Sequence, residues 1–385
     1  MRRARVSVAW LNLLHERTRL VVAIAGVSFA VLLIFMNLGF LGALTATTTN
    51  FYEKFNADVF LTSPETLEVS TTTPFPLERL YQAEGVEGVA QAMPLYSGYL
   101  LWRNPEPPNE SRAMFVWAYN PDDPVFLMPE LQTAEARRIL RSPNVVFYDL
   151  LSRPEFGPSA VGTVTEADRR RVRIGGHYRL GGGFAADGTL VMSDQNFVRY
   201  LSPRPLDLVD TGLILLEPGA DPERVVRALE NLLPDDVDVY TKAGIMMRDQ
   251  TYWISSTSIG FIFGLGVLVS FVVGIVIVYQ ILYTDIRDHL PEYATMKAMG
   301  YRNRYLFQVV VQEGLLLAAM GYVPGLIVSL GLYELTLRAT AGSLPMKMDL
   351  GRVGFVLVLT VLMCCVSALI SVRKALSTDP AEVFS

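Results

Sequence analysis

The side chains able to ligate metals or act as nucleophiles are few in this chain, and their spacing serves neither purpose. His15, His177 and His289 are far apart and form no metal-ligand pattern. Cys364 and Cys365 are adjacent within an apolar run, where cysteines behave as small apolar residues and offer no disulfide framework. No G-x-S-x-G or H-E-x-x-H occurs. None of the five lysines follows a glycine, so ATP hydrolysis by a P-loop within this polypeptide is excluded. The expectation is a non-catalytic chain that binds no metal or cofactor of its own and acts through recognition and movement.

The stretch DIRDHLPEYATMKAMGYRNR (285–304) carries the best candidate for recognition. Pro291 suits the first turn of a helix and Gly300 the position just beyond its end. Between them Leu290, Tyr293, Met296 and Met299 recur at a helical period, while Glu292, Thr295 and Lys297 lie on other faces. A short amphipathic helix of this kind can dock into a groove of a soluble partner. A solvated loop holding positive charge is the simpler reading of the same residues.

Long apolar windows flank that segment and must position it. Leu20–Leu44 holds 25 residues without a charge and Thr251–Thr284 holds 34. Tyr305–Leu337 is apolar apart from Glu313, Glu334 and two glutamines, and Val353–Val372 adds 20 uncharged residues. About 20 apolar residues cross a hydrocarbon core of roughly 30 Å, so four transmembrane helices are expected. Only 18% of residues are charged and the mean hydropathy is +0.32, as expected of a membrane protein with a soluble insert. The first window exceeds a signal-peptide core of about 7–15 residues and no A-x-A site follows it, so it is expected to be an uncleaved span.

Lysines and arginines set the orientation. Eleven lie in the N-terminal segment, the 285–304 loop and the C-terminal tail, against three (Arg338, Lys347, Arg352) in the short loop opposite. Both termini are therefore expected in the cytoplasm of a bacterium, with residues 46–250 outside its inner membrane. The expected division is 1–19 cytoplasmic amphipathic helix, 20–45 first span, 46–250 periplasmic domain, 251–284 stalk and second span, 285–304 coupling helix, 305–337 third span, 338–352 short periplasmic loop, 353–372 fourth span and 373–385 tail. In the first segment Val6, Trp10, Leu13 and Leu14 share a face, leaving Arg3, Arg17 and Arg19 free for headgroups. The second window is longer than a bilayer requires, and its polar start (YWISSTS) suggests that the helix continues outward as a stalk.

Residues 46–250 carry 19 Lys plus Arg against 29 Asp plus Glu, enough chain for one domain or two lobes. Strands are expected at 57–63, 99–102, 113–119, 144–150, 177–180, 189–193 and 212–217, and helices at Pro76–Ala83 and Asp221–Leu233. The fold class is thus an α-helical membrane protein with a mixed α+β domain inserted between its first and second helices. The run Arg169, Arg170, Arg171, Arg173 could meet an acidic partner or an anionic headgroup, or form a solvated strand edge.

In the second span, Gly260, Gly264, Gly266, Ser270 and Gly274 recur at close-packing intervals, as do Gly321 and Gly325 in the third. Whether they meet helices of the same chain or of a second copy is open. Glu313, beside Gln308 and Gln312, should face protein rather than lipid, and Glu334 should reach headgroups or the periplasmic domain.

The run EYATMKAMG (292–300) resembles the E-x-x-x-x-K-A-x-G coupling segment of FtsX-like, MacB-type ABC transporter permeases, and DPAEVF (379–384) resembles the D-P-A-E-A ending of that group. One long span, a large outer domain and three further spans is also the family's layout. Within the family, RTRLVVAIAGVSFAVLLIFMNLGF (17–40) and TDIRDHLPEYATMKAMGY (284–301) look most similar to DevC-type permeases. The resemblance implies a homodimer with a separate ABC ATPase that carries ATP and Mg, whose closure pushes the coupling segment at Leu290, Glu292, Tyr293, Met296, Lys297, Met299 and Gly300. It further implies mechanotransmission to the periplasmic domain and export of lipid or hydrophobic cargo with a periplasmic adaptor (membrane fusion) protein and an outer-membrane channel. Membrane lipid is a partner and nucleic acid is not. Relatives that regulate cell-wall hydrolases without transport, and lipoprotein-releasing permeases, are the alternatives.

Overall fold

The computed structural model describes residues 17–107, 110–181, 186–201, 204–289, 299, 303–340 and 344–377. The chain divides into two compact units, Met1–Gly42 with Ser258–Thr336 and Met346–Ser385, and Ala43–Thr257 with Leu337–Pro345.

The first unit is helical. Its helices are α1 (Arg17–Lys54, of which the last turns belong to the other unit), α8 (Ser258–Asp288), α9 (Asn303–Ala339) and α10 (Leu350–Ser377). Among the described residues these four are the helices long and apolar enough to cross a membrane. In lipid every backbone polar group must be paired within its own segment, which the helix does. Apolar side chains are common on both inner and outer faces, as in α8, where Phe261, Ile262, Leu268 and Val272 are exposed while Val278 and Leu282 are buried.

The second unit is the α+β domain. Among the described residues it contains β1 (Val59–Thr62), β2 (Phe75–Pro76), α2 (Glu78–Glu84), β3 (Val89–Arg103), β4 (Ser111–Tyr119), α3 (Pro129–Gln132), α4 (Ala134–Leu140), β5 (Val145–Asp149), β6 (Val164–Ala167), β7 (Arg170–Tyr178), β8 (Thr189–Ser193), α5 (Asp194–Tyr200), β9 (Leu208–Val209), β10 (Thr211–Leu216), α6 (Pro222–Leu232), β11 (Asp238–Thr241) and α7 (Lys242–Thr251). Nine strands join in the order β11-β1-β10-β3-β4-β8-β5-β7-β6, so the insert is one domain rather than two.

The 15-residue strand β3 joins the two halves of this sheet. Its first half pairs with β10 (Met93 opposite Leu213) and its second half with β4 (Leu100 opposite Met114). A Trp102–Ala167 bridge then brings the last strand, β6, back against β3. Strand alternation sends side chains to opposite faces, and here both faces are buried. Met114, Val116 and Ala118 join one core with Leu100, Tyr148 and Leu190, whereas Phe115, Trp117 and Tyr119 join the other. Phe51, Tyr52 and Phe55 at the end of α1 belong to the second core, with the Phe55 and Trp117 rings 5.2 Å apart edge to face.

Several elements differ from the sequence reading. The first helix runs on past the span expected at 20–45 as far as Lys54: Ala46–Tyr52 carry no charge, and the Thr47 hydroxyl donates to the Leu44 carbonyl within the helix at 3.0 Å. The second apolar window is not one continuous stalk. A π-helical turn, Tyr252–Ser256, ends in an extended Thr257 (φ −106°, ψ 153°), and regular helix resumes at Ser258. Phe75 and Pro76 form strand β2 opposite β9, so the helix expected from Pro76 starts at Glu78. The strand expected at 177–180 starts earlier, at Arg170, and ends at Tyr178. Asp221 caps α6 as expected, its carboxylate accepting from the Glu223 N–H at 3.1 Å, with Pro222 next in the chain.

Candidate functional site

One end of the helical unit brings together groups that lie 269 positions apart in the chain. Arg19, in the first turn of α1, donates from Nη2 to Asp288 Oδ2 at the end of α8 at 2.6 Å, and its Nη1 lies 3.9 Å from Asp285 Oδ1. Asp285 is buried, with its side chain 9% exposed. His289 Nδ1 is 2.9 Å from the Asp285 carbonyl and 3.8 Å from its carboxylate. A charge in such a place is held only if it is paired, and an arginine fork is well suited to two carboxylates. Arg19 is therefore not free for headgroups, as its position in the sequence suggested. It ties the foot of α1 to the last turn of α8, directly before the candidate coupling segment.

Of that segment, Met299 is exposed and in a turn. Leu290, Glu292, Tyr293, Met296, Lys297 and Gly300 lie outside the described residues, as do the expected amphipathic helix before Arg17 and the DPAEVF ending.

Small residues let the spans approach one another closely. A methyl group on Gly266 would overlap the Asn37 side chain of α1, and one on Gly274 would overlap Met363 of α10 and press on Ala30 of α1. Ser270 is buried and donates to the Gly266 carbonyl at 2.7 Å, and Gly260 is also buried. Gly264 faces open space. Gly266 and Gly274 thus meet helices of their own chain. In α9, Gly321 and Gly325 meet Val27 and Val31 of α1, and the Ser28 hydroxyl donates to the Gly321 carbonyl at 2.8 Å. Ser367 and Ser371 of α10 donate to the carbonyls of Ile275 and Tyr279 of α8 at 2.9 and 3.3 Å. Glu313 is fully buried in this bundle, and Glu334 is exposed.

The α+β domain has its own buried charges, none singled out in the sequence. Asp249 of α7 accepts from the Tyr52 hydroxyl at 2.6 Å and the Val69 N–H at 3.1 Å, and pairs with Arg248 at 2.8 Å. Burial pushes its carboxyl above the usual range, against the opposing pull of the Arg248 charge. Asp210 accepts from the Ser97 N–H at 2.8 Å and pairs with Arg204, and burial likewise raises its carboxyl. Asp149 accepts from the Leu180 and Gly181 N–H groups and the Thr189 hydroxyl, at 3.1, 2.7 and 2.9 Å; desolvation raises its carboxyl despite these donors. These groups fasten loops and chain ends to the sheet. They face no described cavity suited to catalysis.

One sequence signal could have found the Arg19 pairing. Gly274, Val278, Leu282 and Asp285 follow one another at three- and four-residue steps on the buried stripe of α8. An acidic residue on such a stripe calls for a cation from a neighbouring helix.

Residues 263–380, which cover most of α8 and all of α9 and α10, match the family described as "FtsX-like permease C-terminal". The chain carries an FtsX-like permease domain. That match spans three of the four apolar helices and leaves the first helix and the α+β domain outside it. No curated protein shows a significant match to the chain. Solved structures similar to part of it include the periplasmic region of MacB from Actinobacillus actinomycetemcomitans (10% identity, 50% of this chain and 92% of that one, TM-score 0.36). The extracellular domain of the noncanonic ABC-type transporter YknZ from Gram-positive bacteria is similar at 14% identity, over 48% of this chain and 100% of that one, with a TM-score of 0.35. A domain of a putative permease protein from Porphyromonas gingivalis matches at 16% identity over 48% and 86%, with a TM-score of 0.29.

Proposed function

We propose that this permease is the membrane subunit of an ABC exporter that converts the nucleotide cycle of a separate ATPase into movement of its α+β domain. Both termini and residues 290–300 face the cytoplasm, and the ATPase, holding ATP and Mg, engages Leu290, Glu292, Tyr293, Met296, Lys297, Met299 and Gly300. The α+β domain works in the periplasm with an adaptor and an outer-membrane channel, two copies of the chain act together, and the cargo is lipid or another hydrophobic molecule. The DevC-type form of this reading rests on residues 17–40 and 284–301.

The observation that carries the proposal is the Arg19–Asp288 pair at 2.6 Å, with Asp285 beside it. A push on a segment beginning at Leu290 reaches α8 through the chain and α1 through this pair. Interfaces of packed helices shift between discrete arrangements rather than deforming smoothly, so a small displacement at one end can be passed along a span. The spans show no row of charges that would line a conduction path, which favours cargo handled outside the bilayer.

The test is ATPase turnover of the reconstituted complex in nanodiscs. Reversing charge at both Glu292 and Lys297 is expected to leave the permease inserted and to abolish its stimulation of turnover. Unchanged turnover would remove the coupling assignment.

A further inference from the structure

The hairpin β6–β7 combines a difficult backbone with an unusual set of charges. Its two turn residues, Asp168 and Arg169, have φ values of 45° and 63°. Two-residue hairpins of this left-handed kind favour glycine at the second position, yet this chain holds an arginine there. The turn is pinned to β3: the Asp168 N–H donates to the Leu101 carbonyl, and Asp168 Oδ1 accepts from the Leu101 N–H, both at 3.2 Å. Arg103 and Glu166 pair alongside at 2.7 Å, and the Thr165 hydroxyl donates to the Arg103 carbonyl.

The arginines on this fastened hairpin are left over. Elsewhere in the domain Arg79, Arg141, Arg153, Arg204, Arg224 and Arg248 each hold a carboxylate, and the arginines that form no such pair among the described residues, such as Arg112, Arg179 and Arg227, are not packed four into five positions as they are here. Arg169, Arg170, Arg171 and Arg173 are exposed and pair with no carboxylate among the described residues, in a domain with 29 acidic residues against 19 basic. Exposed apolar side chains lie on the neighbouring segments, Leu101 on β3, Val161 just before β6 and Val164 on β6.

We propose that the β6–β7 hairpin is the docking surface for an acidic segment of a partner protein, which in the export reading is the adaptor; the proposal rests on that part of the reading. Arginine beside exposed aliphatic side chains is the composition of protein interfaces, and guanidinium forks match carboxylates in bidentate fashion. The arginines diverge rather than converge. Arg171 and Arg173 occupy one face of β7, while Arg170 acts together with Arg199 on the Tyr200 hydroxyl, which donates to the Arg171 carbonyl at 2.8 Å. Side chains spread in this way grip an extended chain or surface and not a single small anion. A second copy of this domain would meet the hairpin with its acidic remainder. That contact is head to tail and does not close with two copies.

The test is photo-cross-linking of the full-length permease in cells, from a benzophenone amino acid placed at Val164, which is 41% exposed and lies opposite Arg173. The expected product is a second protein joined through a carboxylate-rich peptide. Its yield should fall about tenfold with Arg171→Glu and Arg173→Glu together. Reversing charge in the cross-linked peptide should restore it, and reversing Arg137 and Arg138 should leave it unchanged. In the wild type the yield should also fall as salt is raised, a readout independent of any folding defect in the variants. A product that is only a second copy of the chain, or only lipid, overturns the proposal, as does no product. Co-purification of an adaptor with wild type and double variant alike would sink the hairpin and spare the adaptor. Failure of any adaptor to co-purify with wild type would sink both.

Discussion

The two units of this protein are each packed by opposite kinds of residue. In the α+β domain the tight places are filled by large side chains: Trp102, Trp117, Tyr178 and Phe115 are among the largest that are fully buried. In the helical unit the tight places are empty of side chain. Gly266, Gly274, Gly321 and Gly325 bring helices close enough for Ser28, Ser367 and Ser371 to reach a neighbour's carbonyl. Burial from water rewards bulk, since apolar area removed from water contributes about 25 cal/mol per Å². Lipid gives no such reward, so helices in it gain from close approach and from interhelical hydrogen bonds.

This contrast predicts opposite responses to substitution. Trp117→Ala should destabilise the α+β domain by about 3–5 kcal/mol, read as a shift of its urea midpoint, while leaving the membrane helices inserted. A loss below about 1 kcal/mol would mean that the aromatic core does not govern that unit. Gly325→Leu should do the converse through overpacking against Val31 and the Ser28 carbonyl, at a cost of about 1–3 kcal/mol. It should be seen as lost protease resistance of the helical unit with the α+β domain intact. A neutral outcome would mean that α9 does not approach α1 as described.

A smaller effect separates the units by pH. The carboxyls of Asp149, Asp210 and Asp249 are all raised by burial above the ordinary value of 3.8. A raised folded-state value means that the folded domain binds protons more tightly than the unfolded chain. Their contribution is therefore fully present below the ordinary carboxylate range and is lost as pH rises through the folded values. The denaturation midpoint of the α+β domain should fall as pH rises through that window, with a shallower fall in Asp149→Asn. An equal or steeper slope in the variant would contradict the assignment.

The same contrast explains what the sequence disclosed. Long uncharged windows announce membrane helices because a single charge inside them is costly, so the four candidate helices were legible. Strands with apolar or alternating patterns, such as Thr189–Ser193, were legible too. The break at Thr257 was not, since no proline or glycine marks it and the whole window is uncharged. Nor was β11, whose four residues (DVYT) follow a Pro-Asp-Asp turn and are strand only because β1 pairs with them. The candidate coupling residues stood out through their period and their resemblance to a known family. Arg19 and Asp288 did not, because each reads alone as a headgroup-facing charge, and only the fold makes them partners.

That partnership is the most direct place to test the account. In nanodiscs with the ATPase, stimulated turnover should drop about tenfold for Arg19→Glu and for Asp288→Arg, each of which leaves like charges face to face. Their combination should recover part of the wild-type rate: residues 19 and 288 attract again with the ends exchanged, while the buried Asp285 gains a like charge at position 19. A combined variant as slow as either single one, or single variants as fast as wild type, would show that α1 and α8 do not pass motion through this pair.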